Sequence, residues 1–85
     1  MGITMKVLIV DDEQAIRDAL GRKLNREGFE VVLSADGLEG LRAFHAERPD
    51  LVILDIVMPG GMEGLTLCQR IREIADTPIM MLSAQ

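Results

Sequence analysis

"KVLIVDDEQAIR", residues 6–17, decides the fold because an apolar run leads directly into three acids. Residues 7–10 are β-favouring and apolar at successive positions, which is typical of a strand buried on both faces in a parallel sheet. The acids of residues 11–13 follow at the carboxyl end of that strand, where such sheets bind ligands. Adjacent carboxylates repel one another more strongly near a low-dielectric core. The stretch therefore predicts a buried strand that ends at a site for a positively charged group.

The rest of the chain alternates between strand and helix periods, without a repeat or a linker. The predicted elements in chain order are a strand at 5–10, a helix at 13–27, a strand at 29–34, a helix from 36 to 48, a strand at 50–55, a helix after a loop at 58–64, and a strand at 79–82. Right-handed crossovers turn this order into a parallel sheet with helices on both faces. The sequence therefore predicts an α/β protein.

Short signals mark the ends and the buried faces of these helices. Gly28 follows the first helix as a left-handed cap would, while Asp36 and Glu39 form a capping-box-like start to the second. Apolar residues at helical spacing predict the buried stripes, which are Ile16, Leu20 and Leu24, then Leu38, Leu41 and Phe44, then Leu65, Cys68 and Ile71. His45 lies beside the second stripe, which predicts a solvated surface histidine.

Composition and charge exclude several classes of function. A chain of 85 residues that is 48% hydrophobic suits one small globular domain. Its net charge of -5 argues against direct nucleic-acid binding, which needs clustered lysine and arginine. Cys68 is the single cysteine, so no internal disulfide forms. No signal peptide and no apolar run near the ~20 residues of a membrane span is present, which predicts a soluble, cytoplasmic protein.

Three aspartates lie at the carboxyl ends of the first and third predicted strands. Asp55 ends the third strand much as Asp11 and Asp12 follow the first. If the two strands are neighbours, the carboxylates converge on one crevice, and such a set of hard oxygen ligands suits Mg²⁺. The competing interpretation is that Asp11 caps the following helix and Asp55 ends a strand, with no shared site.

Three segments of the chain resemble one known family. "VLIVDDE", "LVILDIVMPG" and "IMMLSA" are similar to the receiver domain of bacterial two-component response regulators. The resemblance implies that Asp55 accepts a phosphoryl group from a sensor histidine kinase or phosphotransfer protein and that a downstream output then switches. It also implies that Mg²⁺ is bound directly by Asp12 and Asp55, and by Asp11 through water.

The resemblance assigns further roles to residues beside the acids. The backbone carbonyl of Val57 would be another Mg²⁺ ligand, Ser83 would be the switch hydroxyl, and the backbone amide of Ala84 would contact the phosphoryl group. Either Gly60 or Gly61 is one residue more than the family's loop usually has, and glycine accommodates such an insertion with little strain. We expect a neutral variation in loop length.

The resemblance also implies the architecture. It implies a flavodoxin-like, doubly wound parallel sheet with strand order 2-1-3-4, in which the fifth βα unit of the family is missing. Residues 1–85 would then form a receiver domain that is incomplete at its C-terminus, without the family's lysine on the fifth strand. Such a domain is a signalling module rather than an enzyme, and it assists only its own phosphorylation and dephosphorylation.

Two other functions compete with this interpretation. Haloacid-dehalogenase-type phosphatases also place a nucleophilic aspartate after an apolar strand, but they need a second acid two positions later, where this chain has Val57. The other alternative is a non-phosphorylated dimerisation or interaction module that self-associates through the apolar fourth strand. A dinucleotide-binding domain is disfavoured because the turn "DDEQA" contains no glycine to admit a pyrophosphate.

Overall fold

Alternating apolar strands and amphipathic helices form all seven elements that the sequence predicts. The structure is a computed structural model that describes residues 3–56 and 64–82. The elements in chain order are β1 (Lys6–Val10), α1 (Gln14–Arg26), β2 (Glu30–Ser34), α2 (Gly37–Glu47), β3 (Leu51–Asp55), α3 (Gly64–Ile74) and β4 (Ile79–Leu82).

The four strands form one parallel sheet in the order β2-β1-β3-β4, which confirms the predicted topology. β1 and β3 occupy the centre, and four of the five residues in each are buried. A central strand needs apolar side chains on both faces because helices cover both sides of the sheet. The two continuous apolar runs therefore suit the central positions of β1 and β3.

Side chains of β1 and β3 point alternately into two cores. One core lies between the sheet and the helices α2 and α3, and its buried members are Leu8, Val10, Phe44, Val52, Leu54, Leu67 and Ile71. The other core lies on the α1 side, with Val7, Ile9 and Ile53 packed against Leu20 and Leu24 among others. The predicted division of the helices between both faces is confirmed.

The predicted helix stripes are wrong at their first residues. Ile16, Leu38 and Leu65 are 42%, 50% and 53% exposed, and each lies in the first turn of its helix. These turns start at the carboxyl edge of the sheet, where the strands end and leave no apolar surface to cover the side chain. In α3 the fully buried pair is Leu67 and Ile71, four residues apart.

The predicted caps are present, with one difference in detail. The Asp36 carboxylate accepts a 2.8 Å hydrogen bond from the Glu39 N–H at the start of α2. The Glu39 carboxylate in turn accepts from the Ala35 N–H at 3.0 Å, one residue before the cap, rather than from Asp36 itself. Gly28 has a φ of +99°, as the predicted left-handed cap after α1 requires.

In the part of the chain that the structure describes, no helix is long and apolar enough to cross a membrane. β4 pairs with β3 along one side, and Met80 and Met81 on it are 53% and 36% exposed. β4 is thus an apolar edge strand of the described sheet.

Candidate metal centre

The ends of β1 and β3 bring three aspartates together. Val10 of β1 is in register with Leu54 of β3, so the next residues, Asp11 and Asp55, lie level at the carboxyl edge. One carboxylate oxygen from each of Asp11, Asp12 and Asp55 lies within 4.8 Å of the others. The convergence that the sequence predicts for these three residues is confirmed.

The three carboxylates differ in exposure. Asp11 and Asp55 are 4% and 7% exposed, whereas Asp12 is open to solvent. Burial of a carboxylate is costly unless hydrogen bonds or positive charge compensate it. The site therefore combines two buried acids at the carboxyl edge of the sheet with one acid that faces solvent.

Backbone contacts hold Asp11 in place. Its N–H donates to the Ser34 carbonyl of β2 at 3.1 Å, and its own carbonyl accepts from the Arg17 guanidinium at 2.8 Å. Its side-chain Oδ1 accepts from the Glu13 N–H at 2.9 Å, which is the two-residue pattern of an Asx turn. The competing interpretation of Asp11 as a helix cap is wrong, because the N-cap position of α1 is Glu13.

Positive charge is scarce around Asp11 and Asp12 in the described part of the chain. Arg17 approaches Asp11 only at its backbone carbonyl, and the salt bridges found within residues 3–56 and 64–82 belong to Lys6 at the other end of the sheet. Asp11 and Asp12 thus have no ion pair within those residues. Carboxylates gathered without a matching cation repel one another, and a bound cation would relieve that repulsion.

The donor set fits a hard divalent cation. All three groups offer carboxylate oxygens, and the described residues place no histidine or cysteine with them. Mg²⁺ prefers oxygen ligands and is commonly held by one or two carboxylates, with waters filling its remaining positions. The accessible Asp12 leaves room for such waters, so the residues fit the cation that the sequence predicts.

Gly64, for which the sequence predicted no role, allows close packing beside Asp55. Gly64 begins α3, and its N–H donates to the Ile56 carbonyl at 3.1 Å. A side chain at this position would overlap the backbone carbonyl of Asp55 and the backbone of Ile56. Only glycine therefore lets α3 start against the end of β3, and the last glycine of "MPGGMEG" was the available sequence signal.

Several predicted residues are not covered by these observations. Val57, Ser83 and Ala84 lie outside the described residues, and so do Gly60 and Gly61. Their roles at the site stay predictions.

Comparison with known sequences identifies relatives along nearly the whole chain. The sequence profile of the response regulator receiver domain matches residues 7–85. The chain is 47% identical over 79 residues to the transcriptional regulatory protein CseB of Streptomyces coelicolor, which covers 93% of this chain and 33% of CseB. It is 53% identical to the probable transcriptional regulator ycf27 of Guillardia theta, over 93% of this chain and 31% of the relative. The chain thus spans about a third of the length of these curated relatives.

Solved structures agree with the sequence comparison. The chemotaxis protein CheY4 of Vibrio cholerae superposes with a TM-score of 0.91 at 36% identity, over 98% of this chain and 71% of CheY4. The BeF3-activated N-terminal receiver domain of Klebsiella pneumoniae RstA gives a TM-score of 0.87 at 30% identity, over 94% and 68% of the two chains. With its sheet order, its acidic edge and these matches, the chain belongs to the response regulator receiver domain family of two-component signalling systems.

Proposed function

We propose that this chain accepts a phosphoryl group on Asp55, in a Mg²⁺-dependent reaction, from a sensor histidine kinase or a phosphotransfer protein. The observation that carries the proposal is the gathering of Asp11, Asp12 and Asp55 within 4.8 Å at one edge of the sheet. Membership of the receiver family supports the same reaction.

Strands on both sides hold the backbone of Asp55, which supports the role of nucleophile that we propose for it. Leu54 pairs with Val10 of β1, and Asp55 itself pairs with Leu82 of β4. A carboxylate oxygen held in this way attacks the phosphorus of the donor, so that an O–P bond forms while the donor's P–N bond breaks and the histidine leaves. Phosphoryl transfer depends mainly on position and charge neutralisation, so a fixed carboxylate is sufficient as the protein's reacting group.

Asp11 and Asp12 serve the reaction by holding the cation. We assign Asp12 and Asp55 as direct ligands, Asp11 as a ligand through water, and the backbone carbonyl of Val57 as a further ligand. When bound, Mg²⁺ neutralises the carboxylates and the oxygens of the transferred group. The Asx turn at Asp11 fixes the direction of that carboxylate before any cation arrives.

We propose that Ser83 and Ala84 contact the phosphoryl group after its transfer to Asp55. Leu82, the residue before Ser83, is the register partner of Asp55, which supports a place for this pair near the phosphorylated side chain. The Ser83 hydroxyl would donate to the new phosphoryl oxygens and the Ala84 amide would donate beside it. Phosphorylation adds negative charge and acceptor oxygens, which is the change that such donors report to a downstream output.

The output of the longer relatives suggests where the signal leads. Relatives such as CseB are named as transcriptional regulators, and this supports a transcriptional output and a cytoplasmic location for the system in which this chain takes part. The domain itself is a signalling module. We propose that its chemistry is limited to its own phosphorylation and dephosphorylation, since Val57 stands where a phosphatase of the competing class needs an acid.

Intact-mass spectrometry tests this function. The 85-residue chain is incubated with Mg²⁺ and acetyl phosphate, with Asp55→Asn and excess chelator as the controls. We expect a gain of one phosphoryl group that is absent from both controls. A gain that persists in Asp55→Asn would refute Asp55 as the acceptor, and no gain in a chain shown by circular dichroism to be folded would refute the phosphoacceptor function.

A second function is favoured by the exposed side chains of β4. Met80 is 53% exposed and Met81 36%, and the strand carries no charged residue to discourage pairing with another chain. We propose that the 85-residue chain self-associates through β4 with a second copy.

Light scattering across a dilution series tests this association. It should show a dimer that Met80→Lys abolishes. Leu65→Lys should leave the dimer intact, because Leu65 is as exposed as Met80 but lies on α3. A monomer at all concentrations would contradict the association.

A further inference from the structure

A second concave site lies at the opposite end of the sheet from the aspartates. It is an open cleft of about 360 Å³ between the C-terminal ends of α2 and α3, lined by Phe44, His45, Arg48, Pro49, Ile74, Ala75 and Thr77. The six residue steps from Pro49 to Asp55 correspond to roughly 20 Å along an extended strand. The cleft is therefore separate from the acidic edge.

The inner surface of the cleft is apolar. Phe44 and Pro49 are buried in its floor, and Ala75 is half-buried beside them. Ile74, a residue that is 52% exposed, also lines the cleft. An apolar group of a ligand would gain contact with the floor and would remove Ile74 from water.

Two nitrogen-bearing side chains, from His45 and Arg48, line the same cleft. The acids that neighbour them in sequence are already occupied at the base of β1. Glu47 accepts from the Lys6 ammonium at 3.0 Å, and Asp50 accepts from the Lys6 N–H at 2.8 Å. No ion pair of Arg48 is found within residues 3–56 and 64–82, so its charge is available to a ligand.

Three charged residues in and just after α3 lie near the cleft but do not line it. The Arg72 guanidinium donates to the Thr77 carbonyl at 2.7 Å and so shapes the segment between α3 and β4. Glu73 and Asp76 are exposed neighbours of the lining residues, but neither of them lines the cleft. Arg48 is therefore the charged residue of the lining, which contains no acid.

Arg48 also has an unusual backbone conformation. Arg48 follows α2 with a φ of +49°, and among residues 3–56 and 64–82 it is the one non-glycine residue with a positive φ. Glycine is the usual residue at such a position because it has no side chain to crowd the backbone. The chain instead carries an arginine there, at the edge of the cleft.

We propose that the cleft binds a small carboxylate that carries an aromatic or branched apolar group. Arg48 binds the carboxylate with its guanidinium, which matches the geometry of two carboxylate oxygens, and His45 offers a further hydrogen bond. The apolar group lies against Phe44, Pro49 and Ile74. A volume of about 360 Å³ is at the small end of ligand pockets, which suits a compact molecule.

Amide NMR of the 85-residue chain tests the proposal, with phenylacetate as the probe and phenylacetamide as its neutral counterpart. Phenylacetate should produce saturable shifts at Phe44, His45, Ile74 and Thr77. The amide should bind about tenfold more weakly, because a hydrogen bond to a charged group is lost. No saturable shift at millimolar phenylacetate, or equal binding of the amide, would overturn the proposal.

Substitutions at Arg48 separate its charge from its role as a helix end. Arg48→Gly and Arg48→Asn both suit a left-handed backbone, so each variant should unfold at the same temperature as the parent or higher, and each should lose phenylacetate binding. Arg42→Gln removes an equal charge from the exposed part of α2 outside the cleft and should leave binding unchanged. Binding that survives in both Arg48 variants, or that is lost equally in Arg42→Gln, would overturn the proposal.

Discussion

The two ends of the parallel sheet contain similar acids in opposite electrostatic settings. At the amino end, Lys6 lies 3.0 Å from Glu47 and 3.7 Å from Glu30. At the carboxyl end, three aspartates gather within 4.8 Å, and Asp11 and Asp12 have no ion pair within the described residues. Glu30 and Glu47 are thus paired with a lysine of the same protein, whereas for the carboxyl end we propose a cation from solution.

The pKa of Lys6 indicates how the amino end of the sheet contributes to stability. The hydrogen bond to Glu47 raises the pKa of Lys6 above its usual value, and the charge of Glu30 adds to the effect. A raised pKa means that the folded protein holds the proton more tightly than the unfolded chain does. The contribution to stability is therefore complete at neutral pH and is lost as the pH rises through the raised pKa.

The largest expected effect is on phosphorylation at the carboxyl end. Asp12→Ala removes the solvent-facing ligand, and we expect the rate of phosphoryl uptake from acetyl phosphate to fall by about 100-fold. Glu47→Ala, which removes an acid from the amino end, should leave the rate unchanged. Intact mass followed over time measures both, and equal effects of the two substitutions would remove the distinction between the ends.

Two glycines, one near each end of the sheet, provide a comparison of backbone effects. Gly64→Ala forces a side chain into the backbone at Asp55 and should lower the free energy of unfolding by about 2–3 kcal/mol. Gly28→Ala meets no neighbour within 4 Å and strains only the left-handed backbone, at a cost of about 1 kcal/mol.

Urea denaturation gives both free energies, and intact mass gives phosphoryl uptake by the same variants. Gly64→Ala should also slow uptake by displacing Asp55, whereas Gly28→Ala should not. Normal uptake in a folded Gly64→Ala chain would show that the start of α3 does not position the acceptor.

Mg²⁺ should stabilise the fold by less than Gly64→Ala destabilises it. At a concentration tenfold above its dissociation constant, a ligand that binds only the folded state adds about 1.4 kcal/mol, which corresponds to roughly 5–10 °C in Tm for a domain of this size. Asp12→Asn should abolish this increase. Without Mg²⁺ the same variant should unfold at a higher temperature than the parent, since one repelling charge is gone; a lower Tm would contradict the repulsion between the acids.

The smallest expected effect is at the amino end. Lys6→Met removes partly exposed ion pairs, whose contribution to stability is typically small. Thermal unfolding should show a slightly lower Tm than the parent at neutral pH, and the difference should disappear at a pH above the raised pKa of Lys6. A difference that persists at that pH would assign the effect to packing of the lysine chain rather than to its charge.

The central part of this fold could be predicted from sequence because its signals are local. Continuous apolar runs determine β1 and β3, and the aspartates that follow them share an edge wherever the strands are neighbours. The helix stripes were partly wrong because burial of Leu38 or Leu65 depends on how far the sheet extends beneath the first helical turn.

Contacts between distant parts of the chain were the ones that sequence reasoning missed. Lys6 meets Glu47 and Asp50 across 41 and 44 residues, and no local pattern links them. The overlap that excludes a side chain at Gly64 likewise depends on the packing of α3 against the end of β3. The roles of Ser83 and Ala84 stay predictions from the family resemblance.

Amide NMR during a Mg²⁺ titration tests the contrast between the two ends most directly. We predict saturable shifts at Asp11, Asp12 and Asp55, with no change at Lys6 and Glu47 at the other end of the sheet. Asp12→Asn should remove those shifts. Shifts of equal size at both ends, or no saturable shift at the three aspartates, would contradict the claim that the carboxyl end is built to hold a cation.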